Sequence, residues 1–425
     1  MDNGIVLYHL PNHELPLVYV SVVIRTGSIF DPAGKEGLAE LTATVMRTGG
    51  AASLSGDLVD DRIESLAGIL HVSANRESTN ASVSVLRKDL TEGIDLLSRI
   101  LMEPSFEEKK LALAKNLKLE ALRRLSDDPQ KLAFREFQRL FFRGNPRGSY
   151  PSRPSVQSIA RDDLVRFHER YFHPANTMMA MTGDLSASEA RELATRYFGA
   201  WRSAAAPAEI PPPEQKLRGG MFFLLKDIPQ SVIVSGRLSP SKRESRFYPF
   251  EVLDFIAGSG GFRSRIFQQI RTDEGLAYST GSFYRARPDY GLFGTYVLTK
   301  SESTVRALTV LDSIMDDLSK RPVRAEELSS AKKAIDSSFI FSFTSPEKVV
   351  SQHLSVEYDG LPGDFLKTYR QRIEVVTEKD LLDVAARHLG GAAPSVTLIL
   401  GNASVLEELR KLHPKMEVLA PLPEE

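Results

Sequence analysis

The chain contains no cysteine. Disulfides, thiolate-held metals, iron–sulfur clusters and a cysteine nucleophile are therefore excluded, and the redox compartment stays open. An excess of either charge is also missing: 54 Lys and Arg stand against 55 Asp and Glu, for a formal net charge of -1. Proteins that bind a polyanion usually carry a basic surplus, so nucleic acid is disfavoured as a partner. No window approaches the roughly 20 consecutive apolar residues that a membrane helix requires. The opening segment, MDNGIVLYHLPNHELPLVYVSVVI, has no basic stretch ahead of an apolar core and does not read as a secretory signal. It reads as two strands joined by a turn. A G-x-x-x-x-G-K-[ST] phosphate loop is absent, and G-x-S-x-G does not occur between a strand and a helix, which argues against a P-loop nucleotidase and an α/β-hydrolase.

What remains is an ordinary globular composition, 42% hydrophobic and 26% charged over 425 residues, long enough for two domains. The clearest break is SAAAPAEIPPPEQKLRGG, Ser203 to Gly220, a proline- and glycine-rich linker. The two halves it separates look alike. SIARDDLVRFHERYFHPANTMMAMTGDLS and VVTEKDLLDVAARHLGGAAPSVTLILGNAS each give a polar cap, an amphipathic helix and an apolar strand, with nearly equal spacing. Long helical regions precede both, over about 91–142 and 302–359, and β-rich segments open both halves. The expected fold is α+β: two duplicated domains (1–205 and 218–425, joined by a linker at 206–217), each a largely antiparallel sheet packed with helices.

The eight histidines are the first place to look for a metal. His9 and His13 flank Pro11 in a strand-and-turn setting and do not converge. HERYFH, His168 to His173, imitates H-E-x-x-H with one residue too many, which places the two rings about 140° apart on a helix. His71, His353, His388 and His413 stand alone. AGSGGFRSR, Ala257 to Arg265, is glycine-rich but lacks a phosphate-loop lysine, and reads as a turn leading into a helix.

The run RTGSIFDPAGKEGLAELTATVMRTGG resembles the first-half signature of pitrilysin/insulinase-type zinc peptidases, in their short processing-peptidase-like form. Active members of that family carry H-x-x-E-H on this helix: two histidines for zinc and a glutamate as general base. The corresponding positions here are Glu40, Ala43 and Thr44, and the third ligand position, usually glutamate, is Ala121 with Glu120 beside it. A one-residue slip on a helix turns a side chain by about 100°, so Glu120 is a poor substitute. No metal is expected in this chain. In the second half, FRSRIFQQIRTDEGLAYSTGSFYRARPDYGLFGTYVLT resembles the family's C-terminal signature, where an arginine and a tyrosine seven positions apart complete the active site; Arg271 and Tyr278 keep that spacing. Phe283, Tyr284, Gly260 and Gly261 are expected to line the substrate cleft or shape its mouth.

In bacterial relatives the zinc motif and the Arg/Tyr pair can be split between two chains. The resemblance therefore implies a non-catalytic subunit, inactive alone, of a heterodimeric zinc endopeptidase. Its homologous partner would hold the zinc, and its substrate would be an unstructured peptide. The compartment, bacterial-type cytoplasm or periplasm, is left open. The alternative is a structural or assembly protein of the same fold with no peptidase role. A third possibility, an unaided hydrolase built on Glu40, Glu120 and His71, would need stoichiometric zinc in the pure chain.

Overall fold

The computed structural model describes residues 1–202, 209, 212–213, 217–391 and 393–420; most of the linker expected at 206–217 lies outside them. Eleven strands form two sheets among the described residues. The first half supplies β1 (Val6–Pro11), β2 (Leu17–Ile24), β3 (Ile69–Ala74), β4 (Thr79–Leu86) and β5 (Thr177–Gly183). The second supplies β6 (Gly220–Leu225), β7 (Gln230–Ser239), β8 (Ala277–Ala286), β9 (Gly291–Lys300), β10 (Ser395–Gly401) and the short β11 (Glu417–Val418).

Their orders, β1-β5-β2-β4-β3 and β11-β6-β10-β7-β9-β8, are the same once β11 is set aside. Each has one parallel pair in the same place, β1 with β5 and β6 with β10, and antiparallel ladders elsewhere; β11 adds a second parallel pair against β6. The duplication expected from the sequence is thus a repeat of topology. The fold is the expected α+β class.

The helices repeat too. The long helical region of each half resolves into three: Leu90–Met102, Glu108–Arg123 and Pro129–Phe141 in the first, Thr304–Lys320, Ala325–Ile340 and Pro346–Tyr358 in the second. The third of each set starts the same way. Asp128 accepts from Lys131 N and Ser345 from Lys348 N, each ahead of a proline in the first turn, where no N–H is needed.

Those third helices do not cover their own sheets. Pro129–Phe141 lays Phe137, Leu140 and Phe141 against Val232, Val234, Val396, Leu398 and Leu400 of the second sheet. Pro346–Tyr358 lays Val350, Leu354 and Tyr358 against Met178 and Ala180 of the first. The opposite faces are covered from within each half: Met179 and Met181 join the first-half core and Ile399 the second. This explains the unbroken apolar runs of β5 and β10, which are buried on both faces, and the strict alternation in β4, where Ala81, Val83 and Val85 point inward. The helix approaches so closely that a Cβ on Gly236 would fall 2.3 Å from Phe137 Cζ.

A cluster of charges fastens the halves beside this exchange. Arg147 Nε donates to Glu77 Oε1 at 2.7 Å, and its Nη2 lies 3.3 Å from Asp289 Oδ2. Arg287 Nη2 reaches Glu77 Oε2 at 2.7 Å, Lys242 Nζ reaches Asp359 Oδ2 at 2.8 Å, and Tyr358 donates its hydroxyl to Glu77 O at 2.6 Å. Arg147 is 1% exposed. Removing one member of a buried ionic group leaves its partners desolvated and unpaired. Arg147→Met is therefore expected to lower the unfolding free energy by about 3 kcal/mol. The exposed Arg143→Met should cost less than about 1 kcal/mol. Urea denaturation of both variants measures the contrast.

Candidate functional site

The helix Leu38–Thr48 begins where Asp31 accepts from Gly37 N at 2.7 Å and Ala39 N at 2.8 Å; Gly37 has φ +104, a backbone state suited to glycine. Burial, opposed by those two donors, pushes the Asp31 carboxyl up to about 7. The helix buries Leu38, Leu41, Ala43, Val45 and Met46 and exposes Glu40 and Thr44. Thr44 Oγ1 donates back to Glu40 O at 2.9 Å. Glu40 receives Lys118 Nζ, from the neighbouring helix, at 2.5 Å. Ala121 is exposed on that second helix. Glu120 turns to Arg123 and Arg124, whose hydrogen bonds pull its carboxyl down to about 2. These residues do not fit a zinc ion: the ligand positions offer one carboxylate held by a lysine, one hydroxyl and one methyl. Among the described residues no three His, Cys, Asp or Glu side chains gather as a metal site. Two of the histidines are engaged elsewhere: His168 Nε2 lies 2.8 Å from Leu101 O, and His13 Nδ1 lies 2.7 Å from Asp184 Oδ1.

Arg271 and Tyr278 are presented by two irregular segments in succession. Arg271 sits in a π-helical stretch, Phe267–Asp273. Tyr278 is the extra residue where the β8–β9 register slips between Ala277 and Ser279. Both devices insert one residue and re-aim side chains, and both are over-represented at functional sites. Leu276 N donates to Ile270 O at 2.9 Å and closes the turn between them. Tyr278 is 58% exposed, and Arg271 rests its guanidinium 4.9 Å from the centre of the Phe267 ring. Among the described residues neither forms an intramolecular hydrogen bond or ion pair, whereas neighbouring Arg265 is tied to Asp317 and Glu327, and Arg306 to Glu274. Tyr278 lies on β8 and the Leu38–Thr48 helix packs on β3, the equivalent edge strands of the two sheets.

The glycine-rich run begins within a π-helical stretch, Phe255–Ser259, and one tight turn at Gly261–Arg263 then leads, as expected, into the helical segment that carries Arg271. Gly260 is pinned under Phe255, where a Cβ would come 2.5 Å from its carbonyl oxygen, while Gly261 has φ +61 and open space around it. Phe262, on this turn, is 74% exposed and meets the Phe267 ring at 4.7 Å. The two aromatics expected at the cleft sit on packing faces instead. Phe283 lies 5.7 Å from Phe134, and Tyr284 lies 4.8 Å from Phe250 and donates its hydroxyl to Pro240 O at 2.5 Å. On a strand, consecutive residues face opposite sides, and here both sides are covered.

Sequence reasoning missed Phe262, Lys118 and two acids, buried Asp254 and half-buried Glu251. Asp254 Oδ1 accepts from Ser282 Oγ at 2.5 Å, and Glu251 accepts from the Tyr369 hydroxyl. Phe262 lay within the quoted glycine-rich run; the others carried no local signal.

Comparisons with known proteins show the family. Residues 8–155 match "Insulinase (Peptidase family M16)" and residues 158–335 match "Peptidase M16 inactive domain". The chain belongs to the M16 peptidase family. An uncharacterized zinc protease of Rickettsia bellii is 23% identical over 417 residues, covering 95% of this chain and 97% of that protein. The "Non-peptidase homolog YmxG" of Helicobacter pylori is 24% identical over 386 residues, 89% of this chain and 87% of its own. Among solved structures, an M16 inactive domain from Pseudomonas fluorescens superposes with a TM-score of 0.86 at 21% identity, over 99% of this chain and 98% of its own. The periplasmic protease PqqL of Escherichia coli gives 0.77 at 13% identity, over 92% of this chain but 43% of PqqL. The two-domain M16 fold is thus established, and the inactive-type homologues support a non-catalytic member of the family. No described helix is long and apolar enough to cross a membrane.

The acids behind the glycine turn carry a pH signature. Burial is the main force raising Glu251 to about 7, and it is opposed by the Tyr369 hydroxyl. A carboxyl with a raised folded pKa contributes stability below its unfolded pKa and loses it as pH rises through the folded value. Glu251→Gln should therefore gain stability relative to the natural chain between pH 4.5 and 8, by about 2–3 kcal/mol. Thermal or urea unfolding across that range provides the check.

Proposed function

We propose that this chain is the non-catalytic subunit of a two-chain zinc endopeptidase, lending Arg271 and Tyr278 to a homologous subunit that carries the zinc and the general base. The observation that supports it is the contrast within the second half. The side chains of Arg271 and Tyr278 stand exposed and without intramolecular hydrogen bonds or ion pairs among the described residues, on a π turn and a β-bulge, while Arg265 and Arg306 nearby are held in ion pairs. A guanidinium and a phenol aimed at a peptide carbonyl stabilise the oxyanion that forms when water attacks it. When bound in the partner, zinc would supply the activated water. This chain's own residues would orient the carbonyl and offset its developing charge. An unstructured peptide suits the site because β3 and β8 end their sheets with an unpaired edge, to which an extended strand can add. Gly260 and Gly261 would shape the mouth beside β8, with Phe262 projecting from it.

The second reading is an assembly protein of the same fold, and the relative named a non-peptidase homolog favours it. Mixing distinguishes the two. This chain, a homologous chain with intact H-x-x-E-H, and their mixture are assayed on a quenched fluorescent peptide with Zn2+. Activity in the mixture alone is expected. Arg271→Ala or Tyr278→Phe should then lower its turnover by about 10- to 1000-fold, with the complex unchanged in size-exclusion chromatography. A stable complex that cleaves nothing would sink the peptidase role in favour of the scaffold.

A further inference from the structure

We infer that the vestigial zinc site is closed to divalent cations by a resident ammonium, Lys118, and that this barrier is separate from the loss of ligands. Lys118 and Ala121 stand three residues apart on the helix Glu108–Arg123, so they share the face that packs toward the helix Leu38–Thr48. On that second helix the ligand positions Glu40 and Thr44, four residues apart, also share a face. Lys118 Nζ lies 2.5 Å from Glu40 Oε2, on the first ligand position itself. The Lys118 side chain is 20% exposed and the Glu40 side chain 48%, so the lysine stem is laid down between the helices with its charge delivered at the site.

Lys115, one turn earlier, donates to Gln157 O and Ile159 O at 2.8 and 2.7 Å, and Lys35 is bound to Ser158 O and Asp163. Burial first, and the Lys35 cation second, disfavour the charged form of Lys115. Glu120, the nearest spare carboxylate, is taken by Arg123 and Arg124. The first ligand position is thus occupied by the Lys118 ammonium. Restoring the ligands leaves Lys118 in place, and a carboxylate introduced at position 121 would be its ion-pair partner one turn away, in competition with the metal.

The test reads metal affinity and does not depend on the trans-acting role proposed above. The full chain carrying Glu40→His, Thr44→His and Ala121→Glu is compared with the same chain also carrying Lys118→Gln. Zinc affinity is measured by competition with a chromogenic chelator, and folding is checked by circular dichroism and thermal melting. The Lys118→Gln version is expected to bind zinc at least tenfold more tightly. Affinities equal within twofold, whether both tight or both undetectable, would overturn the inference. If Ala121→Glu prevents folding, the exposed pair Glu40→His and Thr44→His, with and without Lys118→Gln, is measured and judged by the same criterion.

Discussion

Each sheet of this protein is finished by the other half of the chain. Pro129–Phe141 crosses to the second sheet and Pro346–Tyr358 to the first, so neither half covers both faces of its sheet alone. A sheet whose two faces are both apolar needs a layer on each side, and the exchange supplies the missing layer twice. It also requires a fixed relation between the halves, because the helices interdigitate with strands at side-chain resolution: the Phe137 ring sits where a methyl on Gly236 would be. Glu77, Arg147 and Asp359 lie buried at this seam with Arg287 half-buried beside them, and ion pairs join them. Hydrophobic exchange gives adhesion, and the ionic cluster ties it to one register.

That constraint accounts for the survival of a helix whose chemistry has gone. Leu38–Thr48 contributes Leu38, Leu41, Val45 and Met46 to the first-half core and packs on β3 and on the helix that bears Lys118. Its outward positions are free to change so long as its inward face does not. Glu40 and Thr44 are therefore replaceable in a way that Val45 and Met46 are not. The second half differs because its irregularities are expensive to keep. A π turn and a β-bulge in succession interrupt regular hydrogen bonding, and here they aim Arg271 and Tyr278 outward. Removing either irregularity would regularise the ladder and redirect the side chain.

The sites are built on equivalent strands of a duplicated topology, yet the duplication is not one of chemistry. Beside β3 the exposed helix face holds a Lys118–Glu40 pair; beside β8 an arginine rests on the Phe267 ring with its donors unclaimed among the described residues. In one case a cation is neutralised within the chain, in the other it is left available to a ligand.

By itself the sequence determined the duplication, the α+β class and the emptiness of the zinc motif. All three are local: alternation in β4, paired cap–helix–strand segments, and the identities at positions 40, 43, 44 and 121 are read within a short window. The exchange of helices was half-visible, in unbroken apolar runs at β5 and β10 and in the matching Asp128-Pro129 and Ser345-Pro346 starts, but nothing local says which sheet a helix covers. Tertiary structure alone decided that, and decided four further points: Tyr284 and Phe283 pack inward, Lys118 reaches Glu40, Glu120 is claimed by its neighbours, and Asp254 is bound to Ser282 and Glu251 to Tyr369. The reason is physical. A side chain's face follows from its strand or helix period, but its partner depends on which element arrives opposite it, and that is set by packing between segments distant in the chain.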